Sequence, residues 1–216
     1  MRWTVLIAAK SLPDAKSRLA AASVDPAAHR RLVAAIRADT LAAARAADGV
    51  GRLVLVTDRA GPDQDAADVC PDLVFVQTAP GLNAALDEGA AHAAARWPRD
   101  GVVALLGDLP ALRPDELTQV LVQAAGTARS FVPDAAGTGT TLLAVRPGVS
   151  LSPAFGPGSA ARHGAQAARL EAGPGLRHDV DTGADLEAAR RYGLGRFTRA
   201  VLDSANSSPT VHLGPS

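Results

Sequence analysis

Short apolar runs alternate with alanine-rich stretches along most of the chain, and this alternation limits the fold more than any other feature. The runs are rich in Val, Leu and Ile, which favour β-strands. They span residues 3–9, 53–56, 73–76 and 102–106. The intervening stretches with helical spacing span residues 26–47, 81–95 and 114–125. The sequence therefore predicts an α/β fold in which helices cover a mostly parallel sheet.

The last third of the chain carries the same alternation in shorter pieces. Predicted strands span residues 130–132, 140–145 and 176–180, and predicted helices span residues 159–170 and 185–192. From Ser204 onward the chain is polar and turn-forming, which predicts a disordered tail over 204–216. We therefore expect one domain that comprises residues 1–203.

The charge balance limits the partners that such a domain can bind. Lys+Arg and Asp+Glu are both 22, so the net charge is zero and no bulk positive field attracts nucleic acid or an anionic membrane. No run approaches the roughly 20 apolar residues of a membrane span. The apolar run within residues 1–10 does not have the length and cleavage pattern of a secretory signal, and a single cysteine, Cys70, rules out an intrachain disulfide. We expect a cytoplasmic protein that has neither a nucleic-acid nor a membrane partner.

Lysine is scarce and confined to one place. Of the 22 basic residues 20 are Arg, and the two lysines, Lys10 and Lys16, follow the first predicted strand together with Arg18. Since no lysine lies beyond position 16, a P-loop is excluded. The loop could hold a triphosphate with its compact ammonium groups, or it could be a solvated basic loop.

Three aspartates form the candidate metal site. Asp108 directly follows the predicted central strand 102–106, and ligands of open α/β sheets bind beyond the carboxyl ends of the strands. Asp179 and Asp181 are two residues apart, so in an extended segment both carboxylates point to one face. Together they suit one or two Mg²⁺ ions. The alternatives are a turn at Asp108 before Pro110, and capping of the next helix by Asp181 or Thr182.

Two glycine- and hydroxyl-rich segments form a candidate anion site. The first is Gly-Thr-Gly-Thr-Thr at 137–141, and the second is Phe-Gly-Pro-Gly-Ser at 155–159, which opens a predicted helix. Hydroxyls and free amides at a helix N-terminus bind anions, and Arg162 and His163 could add charge. A hairpin turn and a serine cap are the alternative. Asn83, in Gly-Leu-Asn-Ala-Ala-Leu, could read a ribose or a base edge, or could be an ordinary helix residue.

The order of these motifs resembles the CofC/FbiD family, the guanylyltransferases of coenzyme F420 biosynthesis. The motifs are Ala-Lys-Ser-Arg-Leu, Gly-Leu-Asn-Ala-Ala-Leu, Gly-Asp-Leu-Pro-Ala-Leu, Gly-Thr-Gly-Thr-Thr, Phe-Gly-Pro-Gly-Ser-Ala-Ala-Arg-His and Asp-Val-Asp-Thr. The resemblance covers residues 3–192. It implies a nucleotidyltransferase fold, a GT-A-like, Rossmann-like three-layer α/β/α domain. It also implies transfer of GMP from GTP to phosphoenolpyruvate, with diphosphate released and the product passed to a downstream F420 transferase.

The resemblance also implies roles for individual residues. Thr140, Gly156 and Ser159 match positions that contact phosphoenolpyruvate, and Asp108 and Asp179, with Asp181 beside them, match the metal aspartates. Asp108, Lys16 and Asp179 are then the catalytic candidates. Lys10, Lys16, Arg18 and Asn83 are the candidates for binding GTP. Gly158 departs from the family, whose members often carry an acidic residue there.

Other functions remain open at this point. The acceptor could be 2-phospho-L-lactate or 3-phosphoglycerate, which differ from phosphoenolpyruvate by groups that few side chains need to contact. A molybdopterin or sugar nucleotidyltransferase shares the fold, but the Gly-x-Gly-x-Arg loop that those enzymes use after the first strand is absent. A module that binds GTP without catalysis is the alternative of a different class.

Overall fold

One mixed β-sheet organises the residues that the computed structural model describes, which are 1–9, 25–58 and 69–206. The strands are β1 (Trp3–Ala9), β2 (Val50–Thr57), β3 (Leu73–Val76), β4 (Gly101–Leu105), β5 (Arg129–Pro133), β6 (Thr140–Val145) and β7 (Ala168–Arg169). The helices are α1 (Pro26–Ala46), α2 (Leu82–Arg96), α3 (Pro114–Ala124), α4 (Ser159–Gly164), α5 (Pro174–Arg177), α6 (Gly183–Arg190) and α7 (Arg196–Asn206). None of these helices is long and apolar enough to cross a membrane.

The strand order is β3-β2-β1-β4-β6-β5-β7. The first four strands in this order run parallel to one another, with β1 paired to both β2 and β4. Strand β6 runs antiparallel to β4 and to β5, and the short β7 joins β5 in parallel. The predicted mostly parallel sheet is thus confirmed, with an antiparallel extension on one side.

Helices pack on both faces of this sheet. Along β1, Val5 and Ile7 face a core shared with α1 and α3, whereas Leu6 faces a second core shared with α2. This alternation is the period of two that a strand imposes on its side chains. All five residues of β4 are buried, as expected for a central strand covered on both faces. The three-layer α/β/α prediction is confirmed.

The sequence prediction is wrong in three places after residue 150. The predicted helix 159–170 ends at Gly164, and Leu170 instead donates its backbone N–H to Phe131 O at 2.9 Å beside β7. The predicted strand 176–180 is replaced by the one-turn α5 and an irregular segment. Helix α7 was not predicted; it begins where the Asp39 carboxylate accepts the N–H groups of Phe197 and Thr198.

The boundary between domain and tail stays a prediction. Helix α7 continues through Asn206, past the predicted boundary at 203, and residues 207–216 lie outside the described part of the chain.

Candidate active site

A cavity of about 480 Å³ lies beyond the carboxyl ends of the parallel strands. Residues at or just after the ends of β1, β2, β3 and β4 all line it, as do side chains from α1 and α2. These strand-end residues are Ala8, Asp58, Gln77, Gly107 and Asp108. The volume is within the range of about 300–1,000 Å³ that small-molecule sites occupy. The edge of the sheet that the sequence pointed to is therefore where the structure has room for a ligand.

Gly107 and Asp108 connect strand β4 to this cavity. A Cβ at Gly107 would lie 3.1 Å from Ile7 Cγ2 and 3.3 Å from the Ala8 carbonyl oxygen, so a glycine lets the chain pass close to β1. Asp108 follows, half-buried, with its backbone oxygen accepting the N–H of Val180 at 3.0 Å. This bond holds the segment containing Asp179 and Asp181 against the end of the central strand.

Asp108, Asp179 and Asp181 are thus brought to one place. Asp181 is exposed and lines the cavity together with Asp108, whereas Asp179 is half-buried. Burial, and then the neighbouring carboxylate of Asp108, raise the pKa of Asp179 to about 7. The N-cap of α6 is Thr182, whose hydroxyl accepts the Asp185 N–H at 3.2 Å. Asp181 is therefore not the residue that caps this helix.

These aspartates suit a divalent cation, although they do not form a complete metal site by themselves. No three His, Cys, Asp or Glu side chains of the described residues already surround one point as a metal centre would. Burial and then the neighbouring carboxylates raise the pKa of Asp179, and a bound cation would offset both costs of keeping this group ionised. Mg²⁺ usually takes one or two protein carboxylates and completes its shell with substrate phosphates and water.

Two residues that the sequence analysis missed shape the aspartate segment. The buried Glu116 carboxylate accepts the N–H groups of Arg113 and Gly175, so it ties α3 to α5. Arg177 donates to the carbonyl oxygens of Pro133 and Asp134, which ties the same segment to the end of β5. The residues next to Glu116 and Arg177 in the sequence do not predict these contacts, because Gly175 and Pro133 are each more than 40 positions from their partner.

The second part of the site joins the two glycine-rich segments. Asp134 accepts the N–H groups of Thr138 and Gly139, and the Thr138 carbonyl oxygen accepts the N–H of Ala160 on α4. We name the segment Ala154–Ser159 the acceptor loop, after the contact with the acceptor that the resemblance implies for Gly156 and Ser159. Gly156 and Gly158 on this loop have φ of 118° and 72°, a region that favours glycine. Gly158, where the resemblance implies an acidic residue in many relatives, thus has a backbone conformation that glycine adopts without strain.

Thr140 and Ser159 are both buried where β6 and α4 meet. Thr140 Oγ1 lies 2.9 Å from His163 Nδ1, and the Ser159 N–H donates to Gly156 O at 3.0 Å. The structure thus brings together Thr140, Gly156 and Ser159, as the sequence predicted from their separate motifs. Their contact with an acceptor stays a prediction.

Of the two residues that could add positive charge, His163 is neutral and Arg162 is engaged with the backbone. Burial, followed by the positive charges of Arg162 and Arg129, lowers the pKa of His163 to about 4, so the ring is neutral at pH 7. Arg162 donates to the carbonyl oxygens of Ala154, Gly156 and Pro157. Both side chains therefore hold the acceptor loop in shape.

Asn83 makes a reciprocal pair of hydrogen bonds with the same loop. Its Nδ2 donates to Phe155 O at 3.1 Å, and its Oδ1 accepts the Phe155 N–H at 2.7 Å. The neighbouring Leu82 lines the strand-end cavity. Asn83 therefore connects the cavity to the acceptor loop, while its predicted contact with the nucleotide stays a prediction.

Known proteins of similar sequence place the chain in a family, although no family model matches it. The phosphoenolpyruvate guanylyltransferase of Streptomyces coelicolor is 47% identical over 204 residues, which cover 93% of this chain and 96% of that protein. The chain belongs to the phosphoenolpyruvate guanylyltransferase family. The resemblance stated from the motifs is thereby confirmed.

Solved structures agree with the family at the level of the fold. A nucleotidyl transferase from Methanothermobacter thermautotroptrophicus has a TM-score of 0.62 at 20% identity, covering 92% of this chain and 99% of that one. Rv0371C from Mycobacterium tuberculosis H37Rv, solved in complex with manganese, has a TM-score of 0.57 at 22% identity, covering 88% and 97%. The nucleotidyltransferase fold is confirmed.

Within this member of the phosphoenolpyruvate guanylyltransferase family, the candidate triphosphate ligands Lys10, Lys16 and Arg18 lie outside the described residues. The structure adds Arg37 of α1, which is buried and lines the cavity. Sequence reasoning missed Arg37 because it lies inside a regular amphipathic helix, where a single arginine has no distinguishing pattern.

Proposed function

We propose that this protein transfers GMP from GTP to phosphoenolpyruvate, giving enolpyruvoyl-2-diphospho-5'-guanosine and diphosphate. An oxygen of the acceptor phosphate attacks the α-phosphorus of GTP in line. A new P–O–P bond forms, and the bond between the α-phosphorus and its bridging oxygen to the β-phosphate breaks. That oxygen leaves with the diphosphate and takes the electron pair of the broken bond.

The observation that carries this proposal is the position of the acceptor loop beside the strand-end cavity. Leu106 donates its N–H to Thr141 O at 2.9 Å, which places Thr140 next to the chain that continues into Asp108. Asn83 bridges from the cavity rim to Phe155 on the other side. A nucleotide in the cavity and a small phosphorylated acid at Thr140, Gly156 and Ser159 would therefore be neighbours.

The charges at the cavity favour a divalent cation, which we propose to be Mg²⁺. Asp58, Asp108 and Asp181 line the cavity together with one arginine, Arg37, so the described lining carries an excess of negative charge that would repel a triphosphate. Asp108, Asp179 and Asp181 would hold the cation, which when bound neutralises charge on the phosphates. Asp108 and Asp179 are the catalytic candidates of this set.

The proposed chemistry requires no general base. The acceptor phosphate is already ionised at pH 7, so its oxygen can attack without losing a proton. The neutral His163, the histidine nearest the acceptor candidates among the described residues, is bonded through both ring nitrogens to Thr140 and Ala154. The residues of this site therefore position and neutralise the reactants.

We assign Lys10, Lys16 and Arg18 to the triphosphate and to neutralisation of the departing diphosphate. Replacement of Lys16 by alanine should raise the KM for GTP or lower kcat by about 10-fold, because a charged hydrogen bond contributes about 1.5–3 kcal/mol. Steady-state kinetics with Lys16→Arg as the charge-conserving control tests this. Unchanged kinetics of Lys16→Ala would return the residue to the solvated-loop alternative.

A substrate panel tests the proposed function. Purified protein is incubated with Mg²⁺, each of the four nucleoside triphosphates, and phosphoenolpyruvate, 2-phospho-L-lactate or 3-phosphoglycerate, and released diphosphate is measured. We expect release only with GTP and phosphoenolpyruvate together. Binding of GTP with no release for any acceptor would support a non-catalytic module. The product is a diphosphate diester suited to a downstream F420 transferase, which we propose as its consumer.

A further inference from the structure

An extra residue in β6 turns Thr140 toward helix α4. Val132 pairs with Leu142 and Pro133 pairs with Thr140, so Thr141 is the additional residue of a β-bulge. In a regular strand Thr140 would face the same side as Leu142, which packs in the core shared with α3. Instead Thr140 reaches His163, whose ring lies 5.2 Å from the Phe155 ring in the opposite core. Bulges redirect side chains in this way beside functional sites.

The direction of the hydrogen bond between Thr140 and His163 follows from the other ring nitrogen. The N–H of Ala154 can only donate, and it lies 2.9 Å from His163 Nε2, so Nε2 accepts. A neutral imidazole that accepts at Nε2 carries its proton on Nδ1. Nδ1 then donates to Thr140 Oγ1 at 2.9 Å, and the Thr140 hydroxyl keeps its own proton free to donate elsewhere.

We propose that His163 is a positioning residue that fixes the Thr140 hydroxyl as a hydrogen-bond donor to the phosphorylated acceptor. The inference rests on the proposed function, because it takes Thr140 to contact that acceptor. The phosphate and carboxylate of such an acid offer only accepting oxygens to the protein. A Thr140 hydroxyl that donated to the histidine would present lone pairs to this anion, whereas the observed arrangement presents a proton.

The surroundings of the ring maintain this arrangement. His163 is buried beside Phe155 and Phe131, and the charged groups that face it are the guanidinium groups of Arg162 and Arg129. Both are cations and both oppose protonation of the ring, in addition to the effect of burial. Protonation would also set two donors against each other at Ala154. The neutral form with its proton on Nδ1 is therefore retained throughout the neutral pH range.

A double-mutant cycle tests whether His163 acts through the Thr140 hydroxyl. In His163→Gln the side chain can reach the position of Nε2 and accept the Ala154 N–H, but it cannot donate to Thr140. We expect this variant to raise the KM for the acceptor about 5- to 10-fold, the effect of one hydrogen bond, with the KM for GTP unchanged. In the Thr140→Val background the same change should alter the acceptor KM less than about 2-fold.

The conservative variant His163→Asn provides the rescue. Its amide can reach the position of Nδ1 and donate to Thr140, although it cannot accept the Ala154 N–H, so its acceptor KM should rise clearly less than that of His163→Gln. Equal effects of His163→Gln in the wild-type and Thr140→Val backgrounds would overturn the proposal, because they would show that His163 only supports the loop.

A spectroscopic measurement on the wild-type protein tests the same point without catalysis. Long-range ¹H–¹⁵N correlation spectra distinguish the two neutral tautomers, and the His163 signals are assigned by their loss in His163→Gln. We expect the tautomer with its proton on Nδ1 at pH 7, and a proton on Nε2 would overturn the inference even if diphosphate is released. Absence of diphosphate release in the substrate panel would instead overturn the proposed function, and this spectrum would remain as expected.

Discussion

The two halves of the sheet position their parts of the site by different means. In the half formed by β3, β2, β1 and β4, parallel ladders whose register is unbroken from Thr4 to the strand ends carry Asp58, Gln77 and Asp108 to a common edge. In the half formed by β6, β5 and β7, a bulge and several bonds between side chains and backbone shape the acceptor loop. Substitutions in the first half should therefore affect chemistry with little change in stability, whereas those in the second should affect shape and stability together.

The largest expected effect is that of Asp108→Asn in the parallel half. Loss of this carboxylate should lower kcat about 1,000-fold, because the charge that would hold the cation at the reacting phosphate is worth several kcal/mol. Diphosphate release measures the rate, and circular dichroism and thermal unfolding check the fold.

The matched control is Asp87→Asn. Asp87 is an exposed aspartate on α2 that lines a different groove, so its replacement should leave kcat within about 2-fold. A nearly normal rate for Asp108→Asn would remove Asp108 from the site.

The next effect is a dependence of stability on pH in the antiparallel half. The pKa of His163 is lowered from 6.5 to about 4, first by burial and then by Arg162 and Arg129. Below pH 6.5 the unfolded chain binds a proton that the folded chain excludes, so stability is full above pH 6.5 and falls as the pH approaches 4. The loss should reach about 3 kcal/mol, as measured by urea unfolding across this range.

His163→Gln removes the titrating group and is the control for this measurement. As the pH falls from 6.5 to 4, the free energy of unfolding of the wild type should therefore decrease relative to that of the variant. A difference that stays constant with pH would show that His163 is protonated equally in both states.

A smaller effect is expected for Gly175→Ala in the segment that leads to the aspartates. A Cβ at Gly175 would overlap the Ala111 carbonyl oxygen and the Glu116 carboxylate, so backbone must move. We expect the free energy of unfolding to fall by about 2 kcal/mol, and kcat to fall because the segment carrying Asp179 shifts. Thermal unfolding and diphosphate release measure the two quantities.

Gly164→Ala is the matched control for this glycine. A Cβ at Gly164 would lie 3.6 Å from the Phe131 ring, an ordinary contact at the end of α4. Its replacement should change stability by less than about 1 kcal/mol. Equal effects of the two substitutions would contradict the role given to the close packing at Gly175.

The smallest effect tests Asn83, which joins the two halves. Asn83→Ala removes both bonds to Phe155, so the acceptor KM should rise about 5-fold. Asn83→Asp keeps the acceptor for the Phe155 N–H, but its second carboxylate oxygen would face the Phe155 carbonyl oxygen and repel it. The acceptor KM of this variant should therefore rise at least as much as that of Asn83→Ala. A rise confined to the GTP KM would support the nucleotide contact predicted from the sequence.

The parallel half was more predictable than the antiparallel half for a physical reason. Strand β1 was predicted at its observed bounds, and Asp108 at the end of β4, because apolar periodicity and strand polarity are local properties. The predicted helix 159–170 failed because the tertiary pairing of β7 with β5 competes with helical propensity over its last residues. The role expected of His163 failed because charge depends on burial, which its neighbours in sequence do not reveal.

The sequence by itself determined the α/β class, the family, and which residue types could meet at the strand ends, since these depend on periodicity and on the order of motifs. Only the tertiary structure decided the bulge at Thr141, the pairing of Asn83 with Phe155 and the neutral state of His163. The pairing of Asn83 depends on a partner 72 positions along the chain, and the neutral state of His163 depends chiefly on its removal from water. The bulge depends on the register that β5 and β6 adopt in the assembled sheet. Folding creates these conditions, and no local pattern specifies them.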